Sequence, residues 1–86
     1  MFDVEVYVSL KKTVSDPQGL TVKHALESLG YTNIEDLRMG KMVKMRLNLS
    51  NKKDAENKVN EMCKKLLVNP IIEEYSFKII KSWGLE

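Results

Sequence analysis

Asn69 and Pro70 divide the last third of the chain into two different periodicities. Before them, Ala55, Val59, Met62, Cys63, Leu66 and Leu67 recur at intervals of three and four, which places them on one face of a helix. Glu56, Lys58, Asn60, Glu61, Lys64 and Lys65 take the solvated side. Proline lacks an amide hydrogen and clashes with the preceding turn, and Asn69 just before it is pushed out of the helical region. After the break, Ile71, Glu73, Tyr75, Phe77 and Ile79 recur at period two, as in a strand with one buried face. The chain therefore closes with a helix folded back on a strand.

The N-terminus repeats the strand pattern in its clearest form. Phe2, Val4, Val6, Val8 and Leu10 alternate with Asp3, Glu5, Tyr7 and Ser9, and β-branched residues at period two favour a pleated strand. Asp16 precedes Pro17, which suits a helix start: aspartate caps the free amides and proline at the first turn loses nothing. Val22, Ala25, Leu26 and Leu29 form the expected buried stripe of that first helix, and Gly30 suits its left-handed stop. Between residues 34 and 49, Leu37, Met39, Val43, Met45, Leu47 and Leu49 share one parity, which allows one long bent strand. Sixteen residues far exceeds the usual strand length of about 5–6. A hairpin is the expected solution, with a type I turn through Arg38 and Met39 and Gly40 as its left-handed bulge residue. Ser50 and Asn51 offer caps for the second helix, and Asp54 complements its first turn.

The resulting order is strand, helix, strand, strand, helix, strand. It predicts a single α+β domain over residues 1–86, a two-layer ferredoxin-like sandwich (β-α-β-β-α-β) with both helices on one face of an antiparallel sheet. The first strand lies centrally, so Asp3 and Glu5 flank Lys44, Arg46 and Lys78 on the open face. Tyr7 on that face, with Ile80 and Trp83 near the C-terminus, makes a candidate self-association surface. Residues 82–86 read as a loose tail.

Composition removes several function classes. A chain of 86 residues has a thin core, for which oligomerisation is a common remedy. A net charge of +2 with interleaved acids lacks the basic stripe of a nucleic-acid binder. The aromatic pattern of an RNA-binding sheet is missing from 38–49. The single cysteine excludes an internal disulfide and a CxxC site, and Cys63 lies on the apolar helix face. No basic-then-apolar leader and no apolar run of about 20 residues is present, so a cytoplasmic location without membrane contact is expected. His24 falls off its helix stripe and has no second histidine to work with. Glu35-Asp36 and Glu73-Glu74 are adjacent pairs whose side chains diverge in a strand. No catalytic constellation and no metal or cofactor site emerges.

Two glycine motifs remain as contact candidates. Asp16-Pro17-Gln18-Gly19 is a tight turn at a helix start, either a plain capping turn or a place where free amides meet an anion or a partner's carboxylate. Arg38-Met39-Gly40-Lys41 presents two cations at a loop tip, either solvated or docked on an acidic partner.

Together these motifs carry a resemblance over nearly the whole chain. Tyr7-Val8-Ser9-Leu10-Lys11 leads into Asp16–Gly19; Arg38–Lys41 follows the first helix; Met62-Cys63-Lys64-Lys65-Leu66-Leu67-Val68-Asn69-Pro70-Ile71-Ile72-Glu73-Glu74-Tyr75 closes the pattern. In order and spacing this resembles the PurS family, small subunits of phosphoribosylformylglycinamidine synthase. The resemblance implies a non-catalytic homodimer or homotetramer in purine biosynthesis. It bridges a glutaminase (PurQ), which releases ammonia, and a synthetase (PurL), which uses ATP and magnesium to convert FGAR to FGAM. The alternative is an ACT-like regulatory domain that binds an amino acid; those domains carry an Asp-x-Pro-Gly turn, whereas here proline directly follows Asp16 and Gln18 intervenes.

Overall fold

A computed structural model describes residues 1–81. The elements are β1 (Phe2–Leu10), α1 (Pro17–Ser28), β2 (Gly40–Leu47), α2 (Lys52–Met62), a π-helical turn (Cys63–Leu67) and β3 (Glu73–Lys81). The strands form one antiparallel sheet in the order β2-β1-β3, so β1 is central as expected. Val6 lies opposite Val43 and Phe77, and Val4 opposite Met45 and Ile79. Period two then puts the apolar residues of all three strands on one face.

That face meets α2 to make the core. Phe2, Val4, Val6 and Val8 of β1 are buried, as are Ala55, Val59 and Cys63 of the helical segment and Val68 after it. Val43, Met45, Leu47, Tyr75, Phe77 and Ile79 pack around them, half-buried. Asn51 caps α2, its Oδ1 accepting from the amides of Lys53 and Asp54. The stop before Asn69-Pro70 takes the form of the π turn, in which Val68 N–H donates to Cys63 O at 3.0 Å. The wider turn shifts the phase of the last residues. Leu66, expected on the buried stripe, is therefore 84% exposed.

The α+β class and antiparallel sheet are as expected, but among the described residues there are three strands, not four. No hairpin turns at Gly40. Residues 31–39 belong to no element, and Gly40 is the first residue of β2, opposite Ser9. Its φ is not positive; Gly30, with φ 102°, is the only such glycine among the described residues and closes α1 as expected. Gly40 is needed for a close approach instead, since a Cβ there would sit 2.7 Å from Val8 O.

The second difference concerns α1. Its expected stripe is not buried against the sheet: Gly19 is its only buried residue, and Leu29 is 75% exposed. No strand packs substantially on α1. The radius of gyration, 16.6 Å, exceeds the roughly 12 Å of a compact chain of this length. The helix and residues 31–39 form an arm on a molecule 49 Å long.

Candidate functional site

Three loops meet at one end of the sheet, where β1 finishes and β2 and β3 begin. Two are the Asp16–Gly19 turn and the Arg38–Lys41 segment. Asp16 joins them: its Oδ1 accepts from Gly19 N–H at 3.0 Å and its Oδ2 from Met39 N–H at 2.8 Å. These amides favour the charged carboxylate and hold its pKa below the ordinary 3.8. Gly19 is required by crowding, since a Cβ there would lie 2.5 Å from Asp16 Oδ2 and 2.6 Å from Leu37 O. Arg38 folds inward across the same junction. Its Nη2 donates to the carbonyls of Lys11 at 2.9 Å and Val14 at 2.7 Å. The guanidinium thus fastens the loop after β1 to the start of β2.

Of the seven contact candidates, Asp16, Gly19 and Arg38 build the junction. Pro17, Gln18, Gly40 and Lys41 are exposed around it. Lys41 Nζ lies 3.9 Å from Glu73 Oε2, a loose pair in which the lysine stays open to solvent. A groove of about 640 Å³ runs from this end onto the open face, lined by Tyr7, Ser9, Gly40, Lys41, Met42 and Glu74 among others.

The third loop was missed from sequence. Ile71 is not in β3 but stands 81% exposed in the Asn69–Glu73 connection. Asn69 organises that loop. Its Oδ1 accepts from Ile71 N–H at 3.1 Å, its carbonyl accepts from Ile72 and Glu73, and its own amide donates to Glu73 Oε1 at 2.7 Å. Ile72 O in turn accepts from Lys11 N–H at 2.8 Å. The signal in the sequence is Asn69 itself, whose side chain can fold a turn on its own backbone, beyond its position before proline.

On the open face, Asp3 pairs in register with Arg46 and Ile80, and Glu5 with Lys44 and Lys78. Arg46 Nε donates to Asp3 Oδ1 at 2.7 Å. Tyr7 hydrogen-bonds Glu5, which raises the phenol pKa from 10.0. Tyr7 and Ile80, the self-association candidates, share this face and are 40% and 52% exposed. Trp83 and the expected tail at 82–86 lie outside the described residues. His24 is exposed, away from the loop junction. Among the described residues no cluster of histidine, cysteine and carboxylates has metal-binding geometry, and no helix is long and apolar enough to cross a membrane.

Comparison with known proteins gives this arrangement a family. The family model PurS, described as phosphoribosylformylglycinamidine (FGAM) synthase, matches residues 3–81. The chain is 46% identical to the PurS subunit of Bacillus subtilis over 79 residues, covering 92% of this chain and 93% of that one. The structure of Methanocaldococcus jannaschii PurS, a subunit of formylglycinamide ribonucleotide amidotransferase, superposes with a TM-score of 0.86 at 38% identity, covering 95% and 99% of the two chains. A chain of PurLQS from Thermotoga maritima superposes with a TM-score of 0.85 at 32% identity, covering 92% and 96%. The amino-acid-binding alternative is not favoured by these matches. The chain belongs to the PurS family of phosphoribosylformylglycinamidine synthase subunits.

Proposed function

We propose that this chain is the non-catalytic small subunit of an FGAM synthase, holding a PurQ-type glutaminase against a PurL-type synthetase so that ammonia passes between them. Family membership over residues 3–81 carries the reading. The relative in PurLQS supports the choice of partners. A small domain with a hydrogen-bonded loop junction suits docking rather than chemistry. ATP and magnesium serve the synthetase, this chain holds no cofactor of its own, and the complex works in the cytoplasm. The fixed junction of Asp16, Gly19 and Arg38 presents Pro17, Gln18, Gly40 and Lys41 to a partner. Tyr7 and Ile80 on the open face support self-association.

The test is FGAM synthesis by the glutaminase and synthetase of the same organism, with and without this chain, using glutamine or free ammonium. The expected result is that the chain raises the glutamine-driven rate and leaves the ammonium-driven rate unchanged. If neither rate responds to the chain, the coupling role is wrong.

A further inference from the structure

The connection between the π turn and β3 is a built loop with an apolar tip. Ile72 N–H donates to Asn69 O, which closes a four-residue turn with Pro70 and Ile71 at its corners. Proline presets the first corner, and Ile71 at the second has no positive φ, as in a type I turn. Asn69 Oδ1 holds the Ile71 amide, and Glu73 closes the loop twice: its amide donates to Asn69 O and its carboxylate accepts from the Asn69 amide. All four amides of residues 69–73 are thus bonded inside the loop, proline having none. Ile71 is held out by the main chain, and only its side chain is left to make a contact.

The surroundings of the tip are cationic. A cleft of about 300 Å³ beside it is lined by Lys11, Lys64, Pro70, Glu73, Glu74 and Tyr75 among others. The Glu73 carboxylate is engaged by Asn69 and Lys41, whereas the ammonium groups of Lys11 and Lys64 have no ion-pair partner among the described residues. Two cations therefore face one unengaged acid, Glu74. The tip is also continuous with the loop junction, since Lys11 N–H donates to Ile72 O and Lys41 pairs loosely with Glu73.

We propose that Ile71 is the anchor of a docking knob: it enters an apolar pocket, rimmed with carboxylates, on a partner subunit of the synthase. The pocket buries the aliphatic side chain, and the rim meets Lys11 and Lys64. Two copies of this tip brought together would set lysines against lysines, so the charges select a different protein as the occupant. Because the turn is fixed before contact, docking costs little ordering of the loop. The inference rests on the synthase reading above, and the two fail separately.

Binding of the full chain to the glutaminase and to the synthetase of the same organism, each measured alone, tests it. The wild type binds one of them with an affinity that falls as salt rises. Ile71→Asp raises that dissociation constant about thirtyfold or more, with the urea midpoint unchanged. Ile71→Val keeps a branched aliphatic tip and binds like the wild type. Lys11→Gln with Lys64→Gln raises the constant about tenfold and flattens its salt dependence. Asn69→Ala frees the Ile71 amide, speeds its hydrogen exchange and weakens binding, as a positioning residue should. Unchanged affinity of Ile71→Asp for both subunits overturns the knob. So does sedimentation in which Ile71→Asp breaks up the chain's own oligomer, since the tip then lies between copies. A wild type that binds a subunit without raising the glutamine-driven rate overturns the coupling role alone, and Ile71→Asp still decides the knob. A wild type that binds neither subunit overturns both.

Discussion

Asp16 and Arg38 both work within the chain, and each leaves a measurable mark. Asp16 has a folded pKa depressed by the amides of Gly19 and Met39. Its stabilising effect is therefore fully present above the ordinary value of 3.8 and is lost as pH falls from there through the lower folded value. Asp16→Asn should flatten that acid limb, as read from thermal midpoints between about pH 2 and pH 6. Arg38→Ala removes two hydrogen bonds to the Lys11 and Val14 carbonyls and should cost about 1–2 kcal/mol in urea unfolding. Lys41→Ala should change stability by less than about 0.5 kcal/mol. It should nevertheless raise the dissociation constant for the partner subunits about fivefold, roughly 1 kcal/mol. Unchanged partner affinity in Lys41→Ala would take that lysine out of the contact. From sequence, Arg38 and Lys41 looked alike, two cations at a loop tip. What separates them is the reach of Arg38 across to a loop more than twenty residues away, which no local pattern encodes.

At the level of elements, periodicity was most informative where one element lies on a continuous core. Strands β1 and β3 and helix α2 were legible because their apolar residues face a common interior, and Asp16, Asn51 and Gly30 mark helix ends by local chemistry alone. The failures share a cause. The parity running from Leu37 to Leu49 suggests a hairpin, because a long strand is rare and glycine favours a turn. Gly40 is instead fixed by its distance to β1, a tertiary fact. The expected stripe on α1 has no strand packed substantially on it, since periodicity shows that a face is apolar and not what covers it. On α2 the π turn changes the phase part-way. Val59→Ala should therefore cost about 2–3 kcal/mol, with the loss of a fully buried side chain. Leu66→Ala, on the same expected stripe, should cost less than about 0.5 kcal/mol. Urea midpoints of the two variants check the assignment, and equal losses would contradict it.

For the whole molecule, the core is a thin wedge between one helix and one sheet, and Cys63 sits at its centre. Burial pushes that thiol above its ordinary pKa. It should react with an alkylating reagent only when the core opens, so its labelling rate should track global unfolding and slow with protein concentration if association stabilises the fold. Rapid labelling in the native state would contradict the packing around Val59 and Val6. The sheet order also has a temporal side. β1 is made before both of its neighbours, and Phe2 faces Leu47 on one side and Lys81 on the other. During synthesis its valines wait until both β2 and β3 have been made before both flanks are filled, and the β3 flank follows the β2 flank. Such long-range closure slows folding and lengthens exposure of an aggregation-prone segment. Asp3 and Glu5, alternating with those valines, are well placed to keep the nascent strand soluble in that interval.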